Sequence, residues 1–151
     1  VTNVSTSDEE ALISLYGVPQ DSHKITEIFK KIGEKKVNLD MISQTAPRQG
    51  KVRISFTLPR QDVKQTMTFL KEFQADMPSL RLNVLPEITK ITVEGSGMEV
   101  QSGVAAKVFE AMANQDIPLQ AITTSETKIS YVIPTADRAR AIEAIKATFG
   151  I

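Results

Sequence analysis

Residues 22–42 read SHKITEIFKKIGEKKVNLDMI, and residues 102–122 read SGVAAKVFEAMANQDIPLQAI. The two stretches align from Ser22/Ser102 to Ile42/Ile122 at a constant offset of 80. In the first, Ile25, Ile28, Phe29 and Ile32 recur at i, i+3, i+4 and i+7, which makes one apolar face of a helix. Gly33 and Asn38 punctuate its end. In the second, Ala105, Val108, Phe109 and Met112 repeat that face. A repeat of this length means that one folding unit is present twice.

The repeat extends to both sides. Ile13-Ser14-Leu15-Tyr16-Gly17 resembles Ile91-Thr92-Val93-Glu94-Gly95 at an offset of 78, and Ile54–Pro59 (ISFTLP) matches Ile129–Pro134 (ISYVIP) at an offset of 75. The drift in offset places length differences in loops. Alternating β-branched and aliphatic residues predict strands at Ala11–Gly17, Leu39–Thr45, Val52–Leu58 and Leu80–Leu85, with Pro47 and Gly50 in a hairpin turn. A second helix starts near Asp62, where Gln65 three residues later suggests a capping box, and it buries Val63, Met67 and Leu70. The second copy gives strands at Ile88–Val93, Leu119–Thr124 and Ile129–Ile133, and a last helix marked by Ile142, Ile145 and Phe149. The order is β-α-β-β-α-β, the ferredoxin-like unit of the α+β class. The second copy reaches Ile151 without a fourth strand, whereas Val1–Ser5 is a short β-compatible segment that the first copy does not need. That segment is expected to complete the second unit. The expected domains are residues 6–86, and residues 1–5 together with 87–151.

Composition removes several functions. Lys+Arg and Asp+Glu are both 18 in 151 residues, so there is no basic excess for nucleic acid. There is no cysteine, hence no disulfide, thiolate metal site or cysteine nucleophile. No apolar run approaches the ~20 residues that span a bilayer, and Val1–Ser5 does not read as a signal peptide. The expected setting is cytoplasmic. His23 is the only histidine and no nucleophile motif accompanies it. No phosphate loop, His-Glu-x-x-His or aspartate-rich metal loop occurs, and Gly95-Ser96-Gly97 reads as a turn between strand and helix. The chain reads as non-enzymatic, with no cofactor and no metal.

A ferredoxin-like unit instead offers the loop between its first strand and first helix. Helix-start amides point outward there and favour an anion such as an α-carboxylate. Ser102-Gly103-Val104 stands at that point in the second copy.

These residues also carry a family likeness. ITVEGSGMEVQSGVAAKVF (91–109), LQAITTSETKISYVI (119–133) and VNLDMISQT (37–45) together resemble the paired ACT domains of the regulatory region of aspartate kinase. The likeness covers nearly the whole chain, whose length is similar to that of the separate small (β) subunit of the heteromeric form. It implies a part without the kinase catalytic domain that binds lysine, threonine or both where the first domain of one copy pairs with the second domain of another. The implied partners are the amino-acid effector, the catalytic (α) subunit and a second copy of this chain in a homodimer.

The resemblance also implies site residues. In the first domain the matching loop reads Gly17-Val18-Pro19-Gln20-Asp21-Ser22-His23. Gln20 stands where the family has an acidic residue and His23 where it has glycine, with Asp21 beside them and Ile25, Asn38, Leu39, Asp40 and Gln44 at supporting positions. In the second domain Met98, Ser102, Gly103 and Val104 match, as do Ser125 and Glu126, with Pro118, Leu119 and Gln120 following the helix. Loss of the acidic residue at Gln20 removes a partner for threonine's ammonium. Glu126, joined by Asp40 of the partner subunit, suits a cationic side chain, so lysine is the favoured effector. Effector binding would shift the population of dimer arrangements and give feedback inhibition. The alternatives are a free-standing ACT pair that senses an amino acid for another target such as transcription, and an assembly subunit without a ligand.

Overall fold

A computed structural model of the chain describes residues 1–95 and 102–151. Its strands are β1 (Asn3–Ser7), β2 (Glu10–Pro19), β3 (Ile42–Gln44), β4 (Lys51–Pro59), β5 (Arg81–Leu85), β6 (Ile88–Glu94), β7 (Ala121–Thr124) and β8 (Lys128–Pro134). Its helices are α1 (Ser22–Glu34), α2 (Val63–Glu72), α3 (Ser102–Asn114) and α4 (Arg138–Phe149). They form two units, Glu10–Pro86 and Val1–Glu9 with Glu87–Ile151.

The first unit is an antiparallel sheet in the order β3-β4-β2-β5. The strand period of two puts Ala11, Ile13 and Leu15 of β2 and Ile54, Phe56 and Leu58 of β4 on one face. Ile28 and Ile32 of α1 and Phe69 and Leu70 of α2 join them in one core. The β3–β4 hairpin closes with Gln49 and Gly50 both at positive φ, the primed geometry that matches strand twist.

Three details depart from the sequence reading. The strand expected over Leu39–Thr45 is only Ile42–Gln44. Asp40 and Met41 both face Thr57, whose carbonyl accepts the Asp40 amide at 3.1 Å and whose hydroxyl accepts the Met41 amide at 2.9 Å, so two residues oppose one and the pairing is irregular there. The buried face of α2 consists of Thr66, Phe69 and Leu70, while Val63 and Met67 are half-buried, because the larger Phe69 takes the core. Gln65 donates its side-chain amide to Asp62 at 3.0 Å instead of closing a capping box on the backbone.

The second unit has the order β1-β6-β8-β7. β1 pairs antiparallel with β6 from Asn3↔Glu94 to Ser7↔Lys90, the position that β5 takes beside β2 in the first unit. The strand runs past Ser5, and the first unit begins at Glu10 instead of residue 6. The cause is a polar clamp. Asp8 accepts from Thr89 Oγ1 at 2.6 Å and from Arg138 Nε at 3.0 Å, and Arg138 Nη2 donates to Thr6 Oγ1 at 3.3 Å. The duplication reaches polar contacts as well: Ser14 bonds Ser55 at 2.9 Å across β2 and β4, and Thr92 bonds Ser130 at 3.0 Å across β6 and β8.

Val104, Val108, Ala111 and Met112 of α3 are buried with Ile91, Val93, Ile129 and Tyr131. Phe109, expected on that face, is instead 49% exposed, whereas its repeat partner Phe29 packs on the first core.

Tyr131 stands where the first unit has Phe56, and both are fully buried. Among the described residues the Tyr131 hydroxyl has no hydrogen-bond partner, and burial pushes its pKa well above the usual value. An unpaired buried hydroxyl costs about 1–3 kcal/mol, so Tyr131→Phe is expected to raise stability by roughly 1 kcal/mol in denaturant titration. The gain should widen above pH ~10, where the unfolded wild type ionises and the folded one does not. A loss of stability in Tyr131→Phe would mean that the hydroxyl is paired.

Candidate functional site

In the second unit, the C-terminal end of β6 meets the β7–β8 turn. The Gly95 amide donates to the Thr127 carbonyl at 3.0 Å. The turn is fixed by the Ser125 amide to the Lys128 carbonyl at 2.8 Å and by the Lys128 amide to Ser125 Oγ at 3.2 Å. Ser125 and Glu126 are exposed at its tip. α3 starts at Ser102, and helix geometry leaves its first-turn amides, including those of Gly103 and Val104, without intrahelical partners. Among the described residues, nothing lies within 4 Å of where a Gly103 Cβ would stand. The Val104 side chain is buried in the core, so its contribution to a ligand is its backbone. Met98 lies outside the described residues.

Pro118, Leu119 and Gln120 are at the other end of this sheet. The Gln120 amide donates to Val132, which pairs with Lys90, four residues before Glu94 and therefore about 13 Å away along β6. Leu119 packs against the core. Within one unit these three do not join Gly103 and Glu126.

In the first unit, the Gln20 amide donates to Gly50 at 2.8 Å, which sets the β3–β4 turn beside the start of α1. Asp21 is the N-cap of that helix. Its Oδ1 accepts from the amides of His23 at 2.9 Å and Lys24 at 3.4 Å. Two of the amides that would receive a carboxylate are thus taken by the chain's own carboxylate, a cap worth about 1 kcal/mol to the helix. His23 is exposed, and Ile25 packs against the core. Asn38 is exposed and Leu39 packs against the core. The Asp40 amide donates to Thr57, which pairs with Leu12, seven residues before Pro19 and so roughly 20 Å along β2 from the α1 start. Gln44 is nearer, in one row with Ile54 and Leu15. Asn38, Leu39 and Asp40 therefore do not meet Gln20, Asp21 and His23 within one unit.

The capping role of Asp21 is the main site feature that the sequence reading missed. Its signal is an aspartate directly before the first helical residue. By the offset of 80 the corresponding residue before α3 is Gln101, a side chain that is not a preferred N-cap. Among the described residues no group of His, Asp or Glu side chains could hold a metal, and no helix is long and apolar enough to cross a membrane.

A family model described as the ACT domain matches residues 91–149. The chain is 34% identical over 149 residues to an aspartokinase of Helicobacter pylori, covering 99% of this chain and 36% of that protein. It superposes with a TM-score of 0.91 and 31% identity on a chain from a crystal structure of aspartokinase alpha and beta subunits, covering 100% of this chain and 99% of that one. The chain belongs to the aspartokinase family, as a regulatory pair of ACT domains. The regulatory subunit of aspartate kinase from Thermus thermophilus is similar over 99% of this chain and 98% of that one, at 28% identity and a TM-score of 0.90. The chain spans about a third (36%) of the length of the curated aspartokinases it matches. A kinase catalytic domain is not among its 151 residues. The stretch matched by the ACT model begins on β6 and takes in α3 and the Ser125–Thr127 turn. The family signal is thus centred on the unit that carries α3 and this turn.

Proposed function

We propose that this ACT pair is the amino-acid-sensing part of a cytoplasmic aspartokinase, binding lysine in preference to threonine and restraining a catalytic chain by feedback. What carries the reading is the Asp21 cap. With the His23 and Lys24 amides already paired to a carboxylate, an effector's α-carboxylate meets both competition and repulsion at α1. At α3 the Gly103 and Val104 amides supply the anion site. Glu126, on a turn tied to Gly95 through Thr127, supplies the acceptor for a cationic side chain. Such a charge-assisted contact distinguishes lysine from threonine.

Pairing with a second copy is supported by Phe109, whose half-exposed ring lies on the outer surface of the helix that starts the site. An effector that binds one dimer arrangement better than another shifts the population by its differential affinity, and dimerisation tightens by the same factor.

Isothermal titration calorimetry with each amino acid tests the reading. Lysine should bind and threonine should bind more weakly. Glu126→Gln should weaken lysine at least about tenfold, or ~1.4 kcal/mol, without changing the fold. Tight threonine binding with no lysine response would overturn the assignment, as would an unchanged lysine affinity in Glu126→Gln.

A further inference from the structure

Between α1 and α2 the first unit carries an open groove of about 590 Å3. Lys31 and Lys35 of α1 and Lys64, Gln65, Thr68 and Glu72 of α2 line it, with buried Phe69 beneath. The second unit has the same groove at the matching positions. Gln115, Arg140, Glu143 and Ala144 line about 240 Å3 there, standing where the first unit has Lys35, Gln65, Thr68 and Phe69. In that copy Arg140 Nη1 donates to the Gln115 carbonyl at 2.7 Å while Nη2 pairs with Asp137, so an arginine spans the two helices and fills the space. In the first copy Gln65 turns back to Asp62 and the groove stays open.

The open groove is also basic. The chain has zero net charge, yet the groove's lining holds three basic side chains, Lys31, Lys35 and Lys64, against one acidic, Glu72. Among the described residues, Lys31, Lys35 and Lys64 take part in no ion pair. Lys31 and Lys35 complement the negative end of α1, which accounts for part of their placement. Lys64 has no such explanation. It is the second residue of α2, at the positive end of a helix, where a cation is locally unfavourable. An external anion resolves that conflict and gains from the same dipole.

We propose that this groove is a docking surface for an acidic segment of a partner polypeptide. Apart from Lys31 and Phe69 the lining side chains are exposed, so the groove is shallow and a small anion would remain hydrated there. A polypeptide differs because it covers area. Carboxylates one helical turn apart match Lys31 and Lys35, which stand about 6 Å apart along α1. The backbone between them covers the lysine stems and the edge of Phe69.

The test uses the intact chain and a fluorescein-labelled helical peptide of about 15 residues, built from alanine with glutamates four apart. Anisotropy at low salt should show saturable binding that weakens as salt is raised. Lys64→Glu and Lys31→Glu should each weaken it at least about tenfold, whereas Lys107→Glu and Lys146→Glu in the second unit should leave it within about twofold. Lys64→Gln, which keeps the stem without the charge, should give an intermediate loss. Equal losses in the control variants would overturn the proposal by showing diffuse attraction. Tighter binding of inorganic tripolyphosphate than of the peptide at the same lysines would overturn it in favour of a small-anion site. Conversion of a dimer to a monomer by Lys64→Glu in sedimentation would make a second copy of this chain the occupant, and would also overturn it.

Discussion

A chain lacking Val1–Ser5 is expected to lose the fold of its second unit and keep that of its first. These residues carry three of the five registered pairs between β1 and β6, and Val1 and Val4 pack on the second core. Backbone bonds worth about 1 kcal/mol each and two valines at roughly 1.5 kcal/mol each sum to on the order of 5 kcal/mol. A unit of this size has a total stability of similar magnitude. The deletion also bares the edge of β6, whose unpaired amides and carbonyls then invite association. Calorimetric unfolding should show the transition of the first unit unshifted and that of the second lost or lowered far below it. Two unchanged transitions would show that β1 contributes nothing.

The second large effect belongs to Gly17. Its φ is +67°, in the left-handed region, where a β-branched residue is strained. A Cβ there would also collide with the Ser79 carbonyl oxygen. Ser79 Oγ donates to the Gly17 carbonyl at 2.7 Å, so neither group can withdraw without breaking the other's contact. Gly17 lies in the irregularity between Leu15 and Val18 that turns β2 toward the loop holding Gln20 and Asp21. Gly17→Val should therefore cost at least about 3 kcal/mol in the first unit, read by denaturant titration. Gly33→Ala is the control. It is helical with open space around the missing Cβ, and is expected to be neutral or to stabilise by up to about 1 kcal/mol. Equal effects of the two substitutions would contradict this reading.

Much of the fold was legible because each element announces its period. Ile25, Ile28 and Ile32 can face one core only on a helix, and Ile54, Phe56 and Leu58 only on a strand. The repeat then fixed the order and exposed the strand missing from the second copy, which Asn3–Ser7 supplies. Illegible features depend on single atoms. Asp40 and Met41 both face Thr57, whose carbonyl takes the Asp40 amide and whose hydroxyl takes the Met41 amide, so regular pairing starts only after them, at Ile42. Phe29 and Phe109 occupy the same repeat position, yet only the first packs inward. The candidate site was legible as residue types and not as places. Asp40 and Gln120 stand at the opposite sheet ends from Asp21 and Glu126, which sequence spacing does not reveal. Asp21, read as a ligand position, is also the cap of its own helix, a role its residue type alone did not reveal.

Amide chemical shifts of the intact chain, recorded with saturating lysine, test directly whether the effector's carboxylate goes to the start of α3 and not to that of α1. The Gly103 and Val104 resonances should move together with those of Ser125 and Glu126, while His23 and Lys24 stay in place. Movement of His23 and Lys24 with Gly103 and Val104 unaffected would contradict it.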